Sequence, residues 1–286
     1  MAKSTVYFTK EISSDSLLRI YRTLGVQLKE KVAVKLSTGE PGGHNFLQPG
    51  MIKELVKEVN GTIVECNTAY GGPRSKTKSH WEVMKKHGFL EIAPCDIMDG
   101  EKEIALEIIG GKHLKQNFVG ANLQNYGSVL ILSHFKGHVM GGFGGALKNM
   151  SIGIASAHGK SQIHNAGGFL GISKQNAFLE AMAEACKSVV DYMGSENIVY
   201  INVANRLSVD CDCDSNPAEP KMSDIGIFAS TDPVAVDQAC VDAVYRSPDE
   251  GKKDLIKRIE SRNGIHTIEA AEILGLGSRE YKIVEI

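Results

Sequence analysis

Between Ser133 and Gly168 the chain reads SHFKGHVMGGFGGALKNMSIGIASAHGKSQIHNAGG, which puts His134, His138, His158 and His164 in one window and sets Lys136 and Lys148 on either side of a glycine run. Imidazole is the commonest metal-binding side chain and the one best matched to proton transfer near neutral pH. Lysine adds a nucleophilic amine or an anchor for anions. Glycines at 141–145 let the backbone approach a ligand where a side chain would stand in the way. Two familiar phosphate motifs fail on spacing. After Gly145 come Ala146, Leu147, Lys148 and Asn149, where a P-loop needs Gly-Lys-Ser/Thr, and a dinucleotide fingerprint begun at Gly142 has Leu147 at its third glycine. What remains is a histidine, lysine and glycine site without a standard label. The plain alternative for each histidine is a ring bonded to backbone carbonyls, but the clustering of His134, His138 and His164 around Lys148 argues for function.

A second constellation is Cys211-Asp212-Cys213-Asp214. In an extended segment residues two apart share a face, so both thiols leave one side and both carboxylates the other. Such a pair can ligate a soft metal, act as a redox pair, or be ordinary loop structure. As thiols two apart close a strained ring, they are expected to be reduced and accessible rather than a structural disulfide. Arg74, in a polar loop, is the candidate for pairing with a substrate carboxylate through its planar fork, against the plainer reading of an exposed loop arginine. Asp232, just before Pro233, reads as a helix N-cap, and Asp237 has no evident place.

These groups need a frame. Alternating strand and helix patterns run through the first half: strands at 5–9, 32–36, 62–66 and 96–98, with helices after Ser14 or Asp15, after Pro49 and around Trp81. Polar loops follow the strands at 37–48 and 67–77. That order predicts an α/β fold with mostly parallel sheets flanked by helices. An apolar strand at 128–132 leads into the histidine window, and a strand at 198–203 leads into the CDCD loop, so both should emerge at the carboxyl ends of strands, where open α/β sheets bind ligands. Residues 103–109 read as an antiparallel edge strand, and 112–121 are ambiguous. Helices follow at 175–192, 233–245, 252–259 and 267–274, with further strands at 225–229 and 281–286. The chain reads as one region over 1–286, with lobes at 1–125 and 126–286 and a cleft between them as one possible division.

The 32 basic and 34 acidic side chains leave a net charge of −2, which gives no reason to expect nucleic acid or an anionic membrane as partner. No signal-peptide pattern and no apolar run long enough to span a bilayer is visible, so a soluble cytoplasmic protein is expected. The 6 cysteines are too sparse for a disulfide scaffold.

The strings SHFKGHVMGGFGGALKN, INVANRLSVDCDC and DIGIFASTDPVAVDQA resemble the domain of unknown function 362 family. Members often carry a two-cluster ferredoxin insert, and the resemblance would place it near 160–174. This chain has no such insert and no ferredoxin cysteine pattern. More distantly, the spacing of His138, the Gly142-Phe143-Gly144-Gly145 run, Lys148 and His164 is similar to that in the nickel-pincer lactate racemase family. That resemblance implies a cofactor held by Lys148, a metal on His164 and acid/base work by His138; the residues themselves add His134 as a second acid/base candidate and Gly142, Gly144 and Gly145 as the backbone beside the cofactor. Leu147 stands where that family has an arginine. Three functions stay open: a metal- or cofactor-dependent enzyme of racemase, isomerase or oxidoreductase type acting on a small carboxylate, an iron–sulfur or electron-transfer accessory protein, or a ligand-binding protein without catalysis. Clustered acid/base groups favour the first.

Overall fold

In the computed structural model, which describes residues 3–168 and 173–286, strand and helix alternate as the sequence predicts. The first half contributes β1 (Ser4–Thr9), α1 (Ser14–Thr23), β2 (Val32–Lys35), α2 (Pro49–Glu58), β3 (Gly61–Glu65), α3 (Thr77–Lys86), β4 (Cys95–Ile97), β5 (Glu103–Glu107) and β6 (Gln116–Gly120). Then come β7 (Ser128–His134), the short strands β8 (Lys136–His138) and β9 (Gly142–Gly144), and helices α4 (Ala146–Ile154), α5 (Ala157–His164) and α6 (Gln175–Met193). The chain closes with β10 (Ile198–Ala204), β11 (Gly226–Ser230), α7 (Pro233–Arg246), α8 (Lys252–Ser261), α9 (Ile265–Ile273) and β12 (Tyr281–Glu285).

Eight strands form one sheet in the order β12-β1-β11-β10-β7-β2-β3-β4. Pairing is parallel from β10 through β7, β2 and β3 to β4, and only β11 runs against its neighbours. Strands from both sides of residue 125 therefore share the same sheet, and β2 pairs directly with β7. The central strands β7 and β10 are buried along their whole length, as expected of parallel strands covered on both faces. Their side chains alternate between two cores. Val129 and Ile131 pack with Leu147, Met150, Cys186 and Val236 beneath α4, α6 and α7. Leu130 and Leu132 pack with Leu17, Ile20, Ile52 and Leu55 beneath α1 and α2.

Local chemistry sets the helix starts. Pro49 opens α2 at its first turn, and Asp232 caps α7 as expected by accepting from the amides of Val234 and Ala235 at 2.8 and 2.9 Å. For α1 the cap is Ser13, one residue before the expected candidates. Strand β5 is antiparallel as expected, but it pairs with β6 in its own two-stranded sheet instead of edging the main one.

Candidate functional site

Strands β2, β3, β7 and β10 end on one side of the sheet, and the segments that follow them enclose a cavity of about 250 Å³. Lys35 comes from the end of β2, Glu65 from the end of β3, Arg74 from the loop beyond it and His134 from the end of β7. His138 stands on β8, Lys148 on α4, Lys160 and His164 on α5, and Cys211 and Cys213 on the loop after β10. Because His134 and Val203 are register partners in parallel strands, the histidine window and the CDCD loop leave the sheet side by side.

Alternation along the CDCD loop sorts its side chains. Cys211 and Cys213 face the cavity and gather with His138, so that one donor atom from each lies within 4.8 Å of the others. Asp212 turns the opposite way, under the loop, where its carboxylate meets His134 Nδ1 at 2.8 Å and Lys136 Nζ at 2.8 Å. All six cysteines are free thiols, as expected, but Cys211 is buried in the cavity wall, not solvent-accessible. A hydrogen bond from Cys213 holds the Cys211 thiol well below its ordinary range despite burial, helped by Lys148, Lys136 and His138, and the proton of the pair stays on Cys213. Lys148 Nζ is 3.9 Å from the Cys211 sulfur. Cys66 also lines the cavity, but its thiol points to the Ile154 carbonyl at 3.3 Å and burial pushes it up to about 12.

The three histidines differ in what their nitrogens are free to do. His134 uses both, Nδ1 toward Asp212 and Nε2 toward the Asn205 carbonyl at 2.7 Å, so neither nitrogen is free for the acid/base role expected of it and the ring ties down the loop. In His138, Nδ1 accepts from the Gly141 amide at 2.9 Å and the Met140 amide at 3.3 Å. Burial, with Lys148 adding to it, lowers His138 to about 4, so the ring is neutral and its one proton sits on Nε2. His164 is the mirror case. Its Nδ1 donates to the Lys160 carbonyl at 2.6 Å, burial holds it below its usual range, and Nε2 keeps a lone pair with no partner among the described residues. The ring stacks on Phe178 with centroids 5.0 Å apart. His158 sits apart, exposed and paired with Glu103 at 2.9 Å.

Arg74 is not an exposed loop residue; it is 4 % exposed and its donors are engaged by the protein itself. Nε meets Glu40 at 2.8 Å, Nη1 meets Glu65 at 3.1 Å and Nη2 meets the Tyr70 hydroxyl at 3.1 Å. The carboxylates it binds are therefore internal, which corrects its expected use as the substrate anchor. Glu65 also takes Lys35 at 2.9 Å and the Thr38 amide at 2.8 Å. Burial alone would raise Glu65, but Lys35 and Arg74 outweigh it and bring the carboxyl down to about 2.

The glycine run is a tight β8–β9 hairpin. Gly142 has φ +81°, and an added Cβ would stand 2.9 Å from Gly264, so it answers to packing against the start of α9 and lies off the cavity wall. Gly144 and Gly145 do line the cavity, and a Cβ on Gly145 would reach 2.4 Å from Asp237 Oδ1. Asp237, which the sequence left unplaced, accepts from the amides of Ala146 and Leu147 at 2.7 and 3.0 Å and from Asn202 at 2.7 Å. It pins the first turn of α4 and so positions Lys148. Burial raises its carboxyl to about 6. Sequence reading also missed Glu40, Glu65 and Lys160; only the position of Glu65 at a strand end hinted at a role.

The family model described as Domain of unknown function (DUF362) matches residues 32–242. The chain belongs to this family. Every residue named on the wall of the cavity falls inside the matched DUF362 region. Among solved structures, the lactate racemase apoprotein from Thermoanaerobacterium thermosaccharolyticum is similar at 15 % identity and a TM-score of 0.49, over 83 % of this chain and 56 % of that one. A protein from Thermotoga maritima is similar at 11 % identity and a TM-score of 0.47, over 81 % of this chain and 58 % of that one. The DUF362 chain thus spans little more than half the length of these two. No curated protein matches it. No helix among the described residues is long and apolar enough to cross a membrane.

Two expectations test this geometry. Asp212→Asn leaves Lys136 and His134 buried without their carboxylate and should cost about 3–5 kcal/mol in denaturant unfolding; a loss under about 1 kcal/mol would mean the clamp is unimportant. Glu65 has a folded pKa below its unfolded value of 4.5, so its contribution is complete above pH 4.5 and is lost as the pH falls toward about 2. At 1.36 kcal/mol per pH unit this amounts to roughly 3 kcal/mol, and a Glu65→Gln variant should show a flatter acid limb of stability against pH.

Proposed function

We propose that the cavity is the active site of a metal-dependent enzyme acting on a small organic acid. The observation that carries this reading is the gathering of His138, Cys211 and Cys213 within 4.8 Å on the wall beside Lys148. One imidazole and two thiolates suit a soft or borderline ion such as zinc or nickel, and three protein ligands leave a coordination position for substrate. A bound ion of this kind supplies Lewis-acid polarisation of a substrate oxygen.

The remaining work falls to the chain's own side chains. His164, neutral and with a lone pair on Nε2, is placed to take a proton from a hydroxy acid, and its Nδ1 bond to the Lys160 carbonyl fixes that tautomer. Lys148 is the cation that meets the substrate carboxylate, the role expected of Arg74. Relative to the racemase resemblance the two histidines exchange duties. His164 is not among the donors that approach both cysteines, while His138 is. The pincer cofactor implied by that resemblance would find Lys148 in the cavity but also the Cys211 sulfur beside its amine, a residue the resemblance does not include. The metal reading rests on the thiols and needs no pincer.

The electron-transfer alternative is less well supported. A ferredoxin-type cluster takes four thiolates, whereas Cys66, the third cysteine on the wall, is turned toward a backbone carbonyl. Ligation by His138 Nε2 requires the ring proton to move to Nδ1, which breaks the bonds from Met140 and Gly141. Metal loading should therefore shift the Gly141 amide resonance. Metal content of protein from its own organism should fall to near zero in Cys211→Ser, Cys213→Ser and His138→Ala and persist in His164→Ala. Equal metal in wild type and both cysteine variants would sink the proposal, as would metal lost in His164→Ala alone.

A further inference from the structure

The cavity wall carries five cations, and three of them have carboxylates of their own. Lys35 pairs with Glu65, Arg74 with Glu65 and Glu40, and Lys136 with Asp212. Lys148 and Lys160 do not. Lys148 Nζ has only the Cys211 sulfur at 3.9 Å, and Lys160 Nζ has only the Ala155 carbonyl at 2.5 Å. Asp99, which acts on Lys160 without touching it, spends its carboxylate on the amides of Asn67 and Ala157 at 2.8 and 2.9 Å. Lys160 is 7 % exposed, so its ammonium is taken out of water with no carboxylate in contact among the described residues, and burial pushes it below the usual lysine range. Such a group costs several kcal/mol in the unliganded protein. Both ammonium groups line the cavity together with His164, which stands one helical turn from Lys160 on α5.

Charge balance then restricts the ligand. A divalent ion held by two thiolates is neutral as a unit, so two positive charges remain on the wall. A monocarboxylate answers one and leaves the other buried and unpaired. We infer that the cavity takes a small dianion, a dicarboxylate or a phosphate ester, with one charged end at Lys148 beside the thiols and the other at Lys160. The inference rests on the cavity being the substrate site and names the class of acid that enters it.

The test is calorimetric titration of malonate, inorganic phosphate and acetate into the full chain, with metal content measured on the same samples. At least one dianion should bind roughly tenfold or more tighter than acetate, the worth of one charge-assisted hydrogen bond. Preference for malonate identifies a dicarboxylate, and preference for phosphate identifies a phosphate ester. Lys160→Met should bring the preferred dianion down to the affinity of acetate, and should raise the melting temperature of the unliganded protein by removing the unpaired charge. Should that variant fail to fold, Lys148→Gln, at a half-buried position, should show the same loss of preference. Acetate binding as tightly as both dianions, or a dianion preference that survives in the variant, overturns the inference. Normal metal content with no dianion preference overturns it alone, and a dianion preference just as strong in metal-free protein, where the Cys211 thiolate already answers Lys148, overturns the charge balance behind it.

Discussion

A single buried carboxylate, Asp212, decides which way the thiol loop faces. Its two oxygens are held by His134 at the end of β7 and Lys136 at the start of β8, so the loop after β10 is tied down from below. With the middle residue committed inward, alternation leaves Cys211 and Cys213 no direction but the cavity. Desolvating a carboxylate and an ammonium together is expensive unless the geometry is good, and here one acid satisfies two donors across a parallel strand pair. The site's donor set therefore depends on the Asp212 ion pairs as much as on the thiols themselves.

A second layer of charge compensation surrounds the first. Glu65 and Glu40 absorb Lys35 and Arg74 under the cavity floor, with Tyr70 closing the ring of contacts. This is why a wall so rich in lysine and arginine can be built at all. It also explains why the arginine that looked best for a substrate carboxylate already has its donors taken by Glu40, Glu65 and Tyr70.

Much of the frame was legible in the sequence because it is written locally. The apolar runs of β7 and β10, the proline and aspartate that open α7, and the polar loops after strands all announce themselves within a few residues. The site was legible in its residue types but not in its assignments. Gly142 looked like a ligand-approach glycine, yet its partner is Gly264 at the far end of the chain, a contact that no local pattern encodes. Arg74 meets Glu40 and Glu65 only after the loops that follow β2 and β3 converge on the end of β3. The tautomers of His138 and His164 follow from which backbone group lies beside Nδ1, an amide in one case and a carbonyl in the other, and spacing says nothing about that.

Helix α5 carries one consequence further. Lys160 and His164 sit one turn apart on it and are joined through the Lys160 carbonyl, while Gly159 brings the helix so close to β6 that an added Cβ would lie 1.9 Å from the Phe118 carbonyl oxygen. The helix cannot rotate about its own axis without striking that strand, so the backbone that carries the cation and the imidazole is held as one piece against β6. On the proposed reading, ligand choice by charge and proton transfer would then share a single support, and a lineage that reshaped α5 for a new ligand would retune its proton chemistry in the same stroke.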